Sequence, residues 1–278
     1  MASKKKKTVQ RLRFTIQIII LIFVLLISYN HSREEANLPL TFGFVGAPSL
    51  HSICPFGGLV TLYTYFTSGE FVRKLHPSNF ISLGGLLLLL ILTGASFCGW
   101  ICPFGTVQEL ISKLGKALKI KKIKVPRYID TPLTYLKYLI LIFVLVRTAT
   151  TGLLMFQNMD PYYALFNLWS DELSKLALII LGVVLVSSLF IERPWCRYAC
   201  PLGAFQGLFN WLSIIKIKRN ESSCISCTMC NRSCPMGIDV MNKDAVNHPL
   251  CNRCLNCVDA CPVKETLNLK VSFPVNYK

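Results

Sequence analysis

The 278 residues are 53% hydrophobic and 16% charged, with 30 Lys+Arg against 14 Asp+Glu and 13 cysteines. So low a charge content excludes a disordered tail protein, and the length admits one large domain or two smaller ones. A net charge of +16 suits nucleic acid or a membrane surface. Because the basic residues flank long apolar runs, the chain reads as a membrane protein whose partner is lipid, not nucleic acid.

Residues 1–13 form a basic tail with Lys4, Lys5, Lys6, Lys7, Arg11 and Arg13. The first apolar run covers residues 12–30; no secretory cleavage site follows it, so it is read as a transmembrane helix. Further runs cover 80–97, 133–155 and 173–191, each long enough or nearly so to cross a hydrocarbon core of ~30 Å. Buried helices of a soluble protein are the alternative, but polar faces are missing: residues 82–93 carry no charge on any side. The connection after the second run holds Lys113, Lys116, Lys119, Lys121, Lys122, Lys124 and Arg127, whereas residues 156–172 have no Lys or Arg, only Asp160, Asp171 and Glu172. This bias places both termini in the cytoplasm, and residues 31–78 and 156–172 outside, in a multi-pass protein of the cell membrane.

The chain also repeats itself. Residues 98–110, CGWICPFGTVQEL, match 196–208, CRYACPLGAFQGL, at an offset of 98. Beyond each copy apolar residues recur at helical spacing, Val107, Leu110, Ile111 and Leu114, then Phe205, Leu208, Phe209 and Leu212. They predict amphipathic helices on the inner membrane face, with Lys113 and Lys116 toward the headgroups. The outer segment opening Cys54-Pro-Phe-Gly aligns with the one opening Asp160-Pro-Tyr-Tyr. Duplicated halves place working sites at their interface.

The composition turns soluble near residue 217. Cys224-x2-Cys227-x2-Cys230-x3-Cys234-Pro235 is followed by Cys251-x2-Cys254-x2-Cys257-x3-Cys261-Pro262. This is the bacterial two-cluster ferredoxin run, in which the fourth cysteine of each run ligates the other cluster. One [4Fe–4S] cluster then takes Cys224, Cys227, Cys230 and Cys261, and the second takes Cys251, Cys254, Cys257 and Cys234. The rival is a pair of zinc sites, which Cys-x2-Cys pairs also build. The third cysteine and terminal Cys-Pro of each run favour iron–sulfur. The module has nine Lys/Arg against five Asp/Glu, a balance suited to an acidic soluble ferredoxin or to anionic lipid headgroups.

Cys98, Cys102, Cys196 and Cys200 fall at the inner ends of the second and fourth apolar runs. Converging across the two halves, four thiolates suffice for a third [4Fe–4S] cluster or a redox thiol site. Trp100, Trp195 and Tyr198 are positioned to shield it. The alternative is structural: buried thiols and helix-stopping prolines that turn the chain at the membrane surface. On the outer side Cys54, His51 and Asp160 form a possible metal, flavin or quinone site, or a packing turn. Arg147 inside the third run is a charge that membranes seldom tolerate without a function, though it also lies near enough to one end to snorkel; Lys137 is expected to snorkel at the other. None of the four histidines, His31, His51, His76 and His248, lies in an apolar run, so no haem is expected. There is no G-x-G-x-x-G and no P-loop, so neither NAD nor ATP chemistry is encoded.

Two membrane Cys-x3-Cys-Pro motifs followed by a two-cluster ferredoxin module resemble the NapH/NosR-type family of polytopic 4Fe–4S membrane proteins, and the similarity runs from the first helix to Cys261. The resemblance implies electron passage between quinol or cytoplasmic donors and extracytoplasmic reductases, or maturation of such enzymes; a CcoG-type relative is associated with copper reduction for oxidase assembly. An enzymatic role is then that of a quinol dehydrogenase or other oxidoreductase component acting with partner subunits. Longer NosR-like members carry an extracytoplasmic flavin-binding domain before the first helix; here only the 13-residue tail stands there, so such a flavin is expected on a separate partner.

The expected fold is a membrane all-α domain over residues 14–215, with four transmembrane helices in two parallel repeats and amphipathic interfacial helices. A small α+β bacterial-ferredoxin-like domain follows over residues 216–278. The expected function is iron–sulfur electron transfer, with delivery to quinone or a membrane-bound partner. The competing reading is an assembly factor that reduces or inserts a metal for another enzyme. A redox sensor lacks any output domain.

Overall fold

A computed structural model describes residues 2–35, 78–123, 125–151, 159–168, 173–263 and 265–271. Among them a long helix α1 (Ala2–Glu35) is followed by α2 (Ser78–Thr93), α3 (Ser96–Trp100) and α4 (Pro103–Ala117). The order continues with α5 (Arg127–Thr151), α6 (Pro161–Phe166), α7 (Lys175–Phe190), α8 (Pro194–Tyr198) and α9 (Pro201–Leu212). The C-terminal module holds β1 (Ile215–Arg219), α10 (Met229–Arg232), α11 (Asn256–Ala260) and β2 (Leu267–Val271).

Helices α1 and α5 are long and apolar enough to cross a membrane, over Val9–Arg33 and Tyr128–Thr148; α2 and α7 carry shorter apolar stretches, Leu83–Thr93 and Lys175–Phe190. The second apolar run, expected to extend to residue 97, breaks at Gly94. Its φ of +69° is a left-handed cap, and a Cβ there would sit 2.4 Å from Asn210 Oδ1. The chain restarts as α3, whose leading Ala95 N–H donates to that same oxygen at 2.9 Å. After α7 the corresponding break falls at Arg193, also left-handed at φ 53°.

The packing exchanges partners between the halves. Helix α4 lies on α1 of its own half and on α7 of the other, while α9 lies on α5 of its own half and on α2 of the other. One core, including Leu21, Phe104, Phe166 and Leu181, joins α1, α4, α6 and α7; Leu141, Val144 and Ala204 join α5 to α9. The Pro-led helices turn small and polar residues inward, Gly105, Thr106, Gln108 and Ser112 on α4 and Ala204, Gln206, Gly207 and Asn210 on α9. Leu114, Leu208 and Trp211 face outward, exposed on the surface expected to meet lipid. Lys113 and Lys116 are half exposed and also pair with Glu109 and Glu192.

In the C-terminal module β1 and β2 pair antiparallel, from Ile215 opposite Val271 to Arg219 opposite Leu267. Ile217, Met236, Val240, Val246 and Leu267 form a small core that touches the cysteines of the second run.

Candidate metal centres

Each inner motif is a short helix followed by a sharp turn into a longer one. Cys98 lies in α3 and Cys102 at the N-cap of α4; Cys196 lies in α8 and Cys200 at the N-cap of α9. Pro103 and Pro201 occupy the first helical turn, where a missing N–H costs nothing. The exchange of α4 and α9 brings the two motifs together: all four sulfurs lie within electrostatic reach of one another.

Two glutamines cross the interface. Gln108 donates from Nε2 to Cys196 Sγ at 3.5 Å, and its Oε1 accepts from the Trp195 N–H at 3.2 Å. Its counterpart Gln206 accepts at Oε1 from the Cys98 thiol at 3.2 Å. Gln206 Nε2 is buried without a partner among the described residues. Turning that amide over aims a donor at Cys98, the arrangement that a deprotonated, iron-bound sulfur calls for. Gly203 N–H already points at Cys200 Sγ, 3.3 Å away. In the metal-free protein burial pushes the Cys102 thiol up to about 12, and those of Cys98 and Cys200 upward too, so metal binding here releases protons. The donor set fits a thiolate-held cluster.

Two groups of charges flank the thiols. Arg193 is buried, donates to the Cys98 carbonyl, and pairs with Glu109 at 2.7 Å. Glu109 also pairs with buried Arg13 at 2.6 Å and with Lys113 at 3.2 Å. Burial opposes ionisation of Glu109, but Arg193 and Arg13 overcome it and hold the carboxyl at about 2. Lys137, expected to snorkel to the inner headgroups, instead is 1% exposed and lies within electrostatic reach of Cys200, Cys98 and Cys196. It shares a helix face with Leu141, Val144 and Thr148, all buried, which turns it inward. A charge inside an apolar helix was the available signal; what the sequence lacks is the direction of the face.

In the C-terminal module Cys224, Cys227, Cys230 and Cys261 line one small cavity together with Arg219 and Leu267. Cys234 joins Cys251, Cys254 and Cys257 in a second, mutually interacting group. The two runs curl alike: Ser226 and Thr228 in the first, and Arg253 and Leu255 in the second, are left-handed with φ between 52° and 61°. That curl aims backbone N–H groups at sulfur, those of Ser226 at Cys224, Asn231 at Cys230, Arg253 at Cys251 and Asn256 at Cys254. Such inward donors suit an anionic cluster. Among the described residues no three His, Cys, Asp or Glu side chains stand close enough to hold a single metal ion; ligands at the corners of a cubane stand further apart.

The second ligand loop docks on the first inner motif. Trp100 Nε1 donates to the Arg253 carbonyl at 3.0 Å, Gln10 Nε2 to that of Cys254 at 2.9 Å, and Asn210 Nδ2 to that of Cys251 at 2.8 Å. Gly99 makes the approach possible, because a Cβ there would lie 2.1 Å from the Asn252 carbonyl oxygen. At the matching place in the second motif stands Arg197, which pairs with Asp130 at 2.6 Å. The loop meets the two motifs at different points: the first at its short helix, through Gly99 and Trp100, and the second along α9, where a Cβ on Gly207 would lie 2.4 Å from the Pro249 carbonyl oxygen.

Of the residues read in the sequence as an outer-face group, His51 and Cys54 lie outside the described residues. Asp160 caps α6, accepting from the Tyr162 N–H at 3.0 Å, and burial pushes its carboxyl up to about 7 against the pull of the Tyr162 and Tyr163 amides. Arg147 is exposed on α5.

Comparison with known proteins agrees with the chemistry of these donor sets. A family described as a 4Fe–4S binding domain matches residues 75–121 and again 174–220, and one described as a 4Fe–4S dicluster domain matches 216–262. The chain is 33% identical to YccM of Escherichia coli, named as a candidate electron transport protein, over 84% of this chain and 68% of YccM. It is 27% identical to the ferredoxin-type protein NapH of Haemophilus influenzae over 71% of each chain. It is 30% identical to the regulatory protein NosR of Stutzerimonas stutzeri over 62% of this chain but 25% of NosR. No solved structure matches. The fold and its cysteines define a 4Fe–4S protein with candidate membrane helices. The chain belongs to the NapH/NosR-type 4Fe–4S membrane family, and its role is iron–sulfur electron transfer.

Proposed function

We propose that the chain is a membrane-anchored electron carrier with three cluster sites. Cys224, Cys227, Cys230 and Cys261 hold one [4Fe–4S] cluster, and Cys251, Cys254, Cys257 and Cys234 hold a second. Cys98, Cys102, Cys196 and Cys200 hold a third. When bound, such clusters take up and release single electrons. Helices α1, α2, α5 and α7 cross the membrane with both termini in the cytoplasm. The donor or acceptor is quinol, an acidic soluble ferredoxin, or a partner subunit. At the outer face Cys54, His51 and Asp160 meet quinone or a separate flavin-binding protein.

The observation that carries this reading is the contact between the second ligand loop and the first inner motif. Gln10, Trp100 and Asn210 fix the backbone of residues 251–254 directly against the helix that bears Cys98. Gly99 clears the space. Arg13, Arg193 and Glu109 form a buried ionic base beneath it. These contacts tie the second ligand loop to the helices that carry the inner cysteines, and electron exchange needs such a short, fixed separation. A mere helix-turning role for the inner cysteines needs none of this.

The test uses the full chain in inside-out membrane vesicles with added quinol. Steady reduction of the ferredoxin-type signals, abolished in Cys102→Ser although dithionite still reduces them, is the expected result. Reduction that persists unchanged in Cys102→Ser removes the inner site from the path. No steady reduction, with single-turnover metal reduction instead, transfers the protein to the assembly class.

A further inference from the structure

We infer that Lys137 is the counter-charge of the four-cysteine inner site and raises its reduction potential; this rests on the reading that those cysteines hold a cluster. Lysine is almost never fully buried unless paired, yet Lys137 is 1% exposed within an apolar helix. Among the described residues it has no carboxylate partner. The neighbouring carboxylates are engaged elsewhere: Glu109 with Arg13, Arg193 and Lys113, and Asp130 with Arg197 and the Tyr198 hydroxyl. The ring of Tyr138, 5.2 Å from Nζ, offers only the weak attraction of a π face.

What Lys137 does face is sulfur. Cys200, Cys98 and Cys196 are its electrostatic neighbours. Protonated thiols supply no negative charge, so in their neutral form they leave the ammonium without compensation. A cubane bound by four thiolates is an anion in both working states and gains one further negative charge on reduction. The same buried ammonium is then matched, and it favours the more negative, reduced state. Arg193 is the other cation at the site; it shares the single carboxylate of Glu109 with Arg13 and Lys113, so positive charge reaches the thiols from both sides. Lys137 adds a full charge from α5 with no carboxylate beside it among the described residues, and net charge near a cluster is one of the determinants of its potential.

The sign is fixed: removing the charge makes the inner cluster harder to reduce. The two ferredoxin-type clusters, whose cysteines are not among the neighbours of Lys137, keep their potentials.

The experiment is a redox titration of the purified full-length protein in lipid nanodiscs, followed by electron paramagnetic resonance, with iron counted on each sample. Expected are three titrating centres in the parent, one of which moves to lower potential in Lys137→Gln and returns toward its original value in Lys137→Arg. Loss of about four irons in Lys137→Gln but not in Lys137→Arg also supports the charge role. Three centres with unchanged potentials in Lys137→Gln overturn it, as does loss of the centre in both variants. A parent protein with only two clusters overturns the underlying reading instead, and the iron count separates that failure from the other.

Discussion

Gln108 reaches across the interface between the two halves to donate to the sulfur of Cys196 at 3.5 Å. Gln206, its counterpart in the second half, meets Cys98 of the first at 3.2 Å. Each half thus supplies a polar clamp to the other half's cysteine. The exchange follows from the packing of α4 on α7 and of α9 on α2, which carries each Pro-led helix past its own motif and onto its neighbour's.

If the two clamps serve one centre, their removal has one effect. Gln108→Leu and Gln206→Leu are each predicted to shift the potential of the same resonance signal downward, since hydrogen bonds to sulfur stabilise the reduced cluster. Shifts in two different signals would mean that the motifs serve separate sites. Gln108→Leu also strands the Trp195 N–H and is predicted to cost about 1–3 kcal/mol of stability, measurable by thermal melting in detergent.

Glu109 joins three cations from α1, α4 and the turn before α8. Glu109→Gln leaves Arg13 and Arg193 buried without their counter-charge, which is predicted to destabilise the protein by about 3–5 kcal/mol. Its folded value is depressed to about 2, so its contribution is fully present above the ordinary carboxylate range, near pH 4–5. It is lost as pH falls toward 2. Melting curves that show equal acid sensitivity in parent and Glu109→Gln would contradict this assignment.

Gly99 admits the Asn252 carbonyl where a Cβ would collide at 2.1 Å. Backbone cannot yield there without moving the whole loop. Gly99→Ala is predicted to speed hydrogen exchange across residues 249–255 and to slow electron exchange between the inner and second sites, while all three clusters remain. An unchanged exchange pattern would show that the loop is held by other means.

Asp160 behaves oppositely to Glu109. Its carboxyl is raised to about 7, so the folded state favours the proton. That advantage is present below about pH 4 and disappears as pH climbs to 7. Asn also caps helices well. Asp160→Asn is therefore predicted to raise the melting temperature at pH 8 and to change it little at pH 4; the reverse order would place a cation beside the carboxylate.

Much of this architecture was legible beforehand because cysteine spacing encodes geometry directly. The repeated Cys-x2-Cys-x2-Cys-x3-Cys-Pro run predicts two groups of four cysteines, and the folded chain gathers the same two groups; the four cysteines of the duplicated Cys-x3-Cys-Pro motif also come together. Gly94 was less readable. An apolar run gives no sign of where it breaks, and the break depends on Asn210, distant in sequence. Lys137 was visible as a charge, but apolar residues lie on every side of the helix beyond it, from Leu139 to Val146, so the pattern does not distinguish the buried face from the lipid-facing one. The burial of Gln108 and Ser112 on α4 was not legible either, because the helix that covers them, α7, comes from the other half.

The account turns on whether the inner cysteines hold iron. Iron and acid-labile sulfide should be counted per chain on anaerobically purified, full-length protein, beside Cys98→Ser. Three cubanes predict about twelve irons in the parent and about eight in the variant. About eight in both would confine the clusters to the C-terminal module and contradict the inner site.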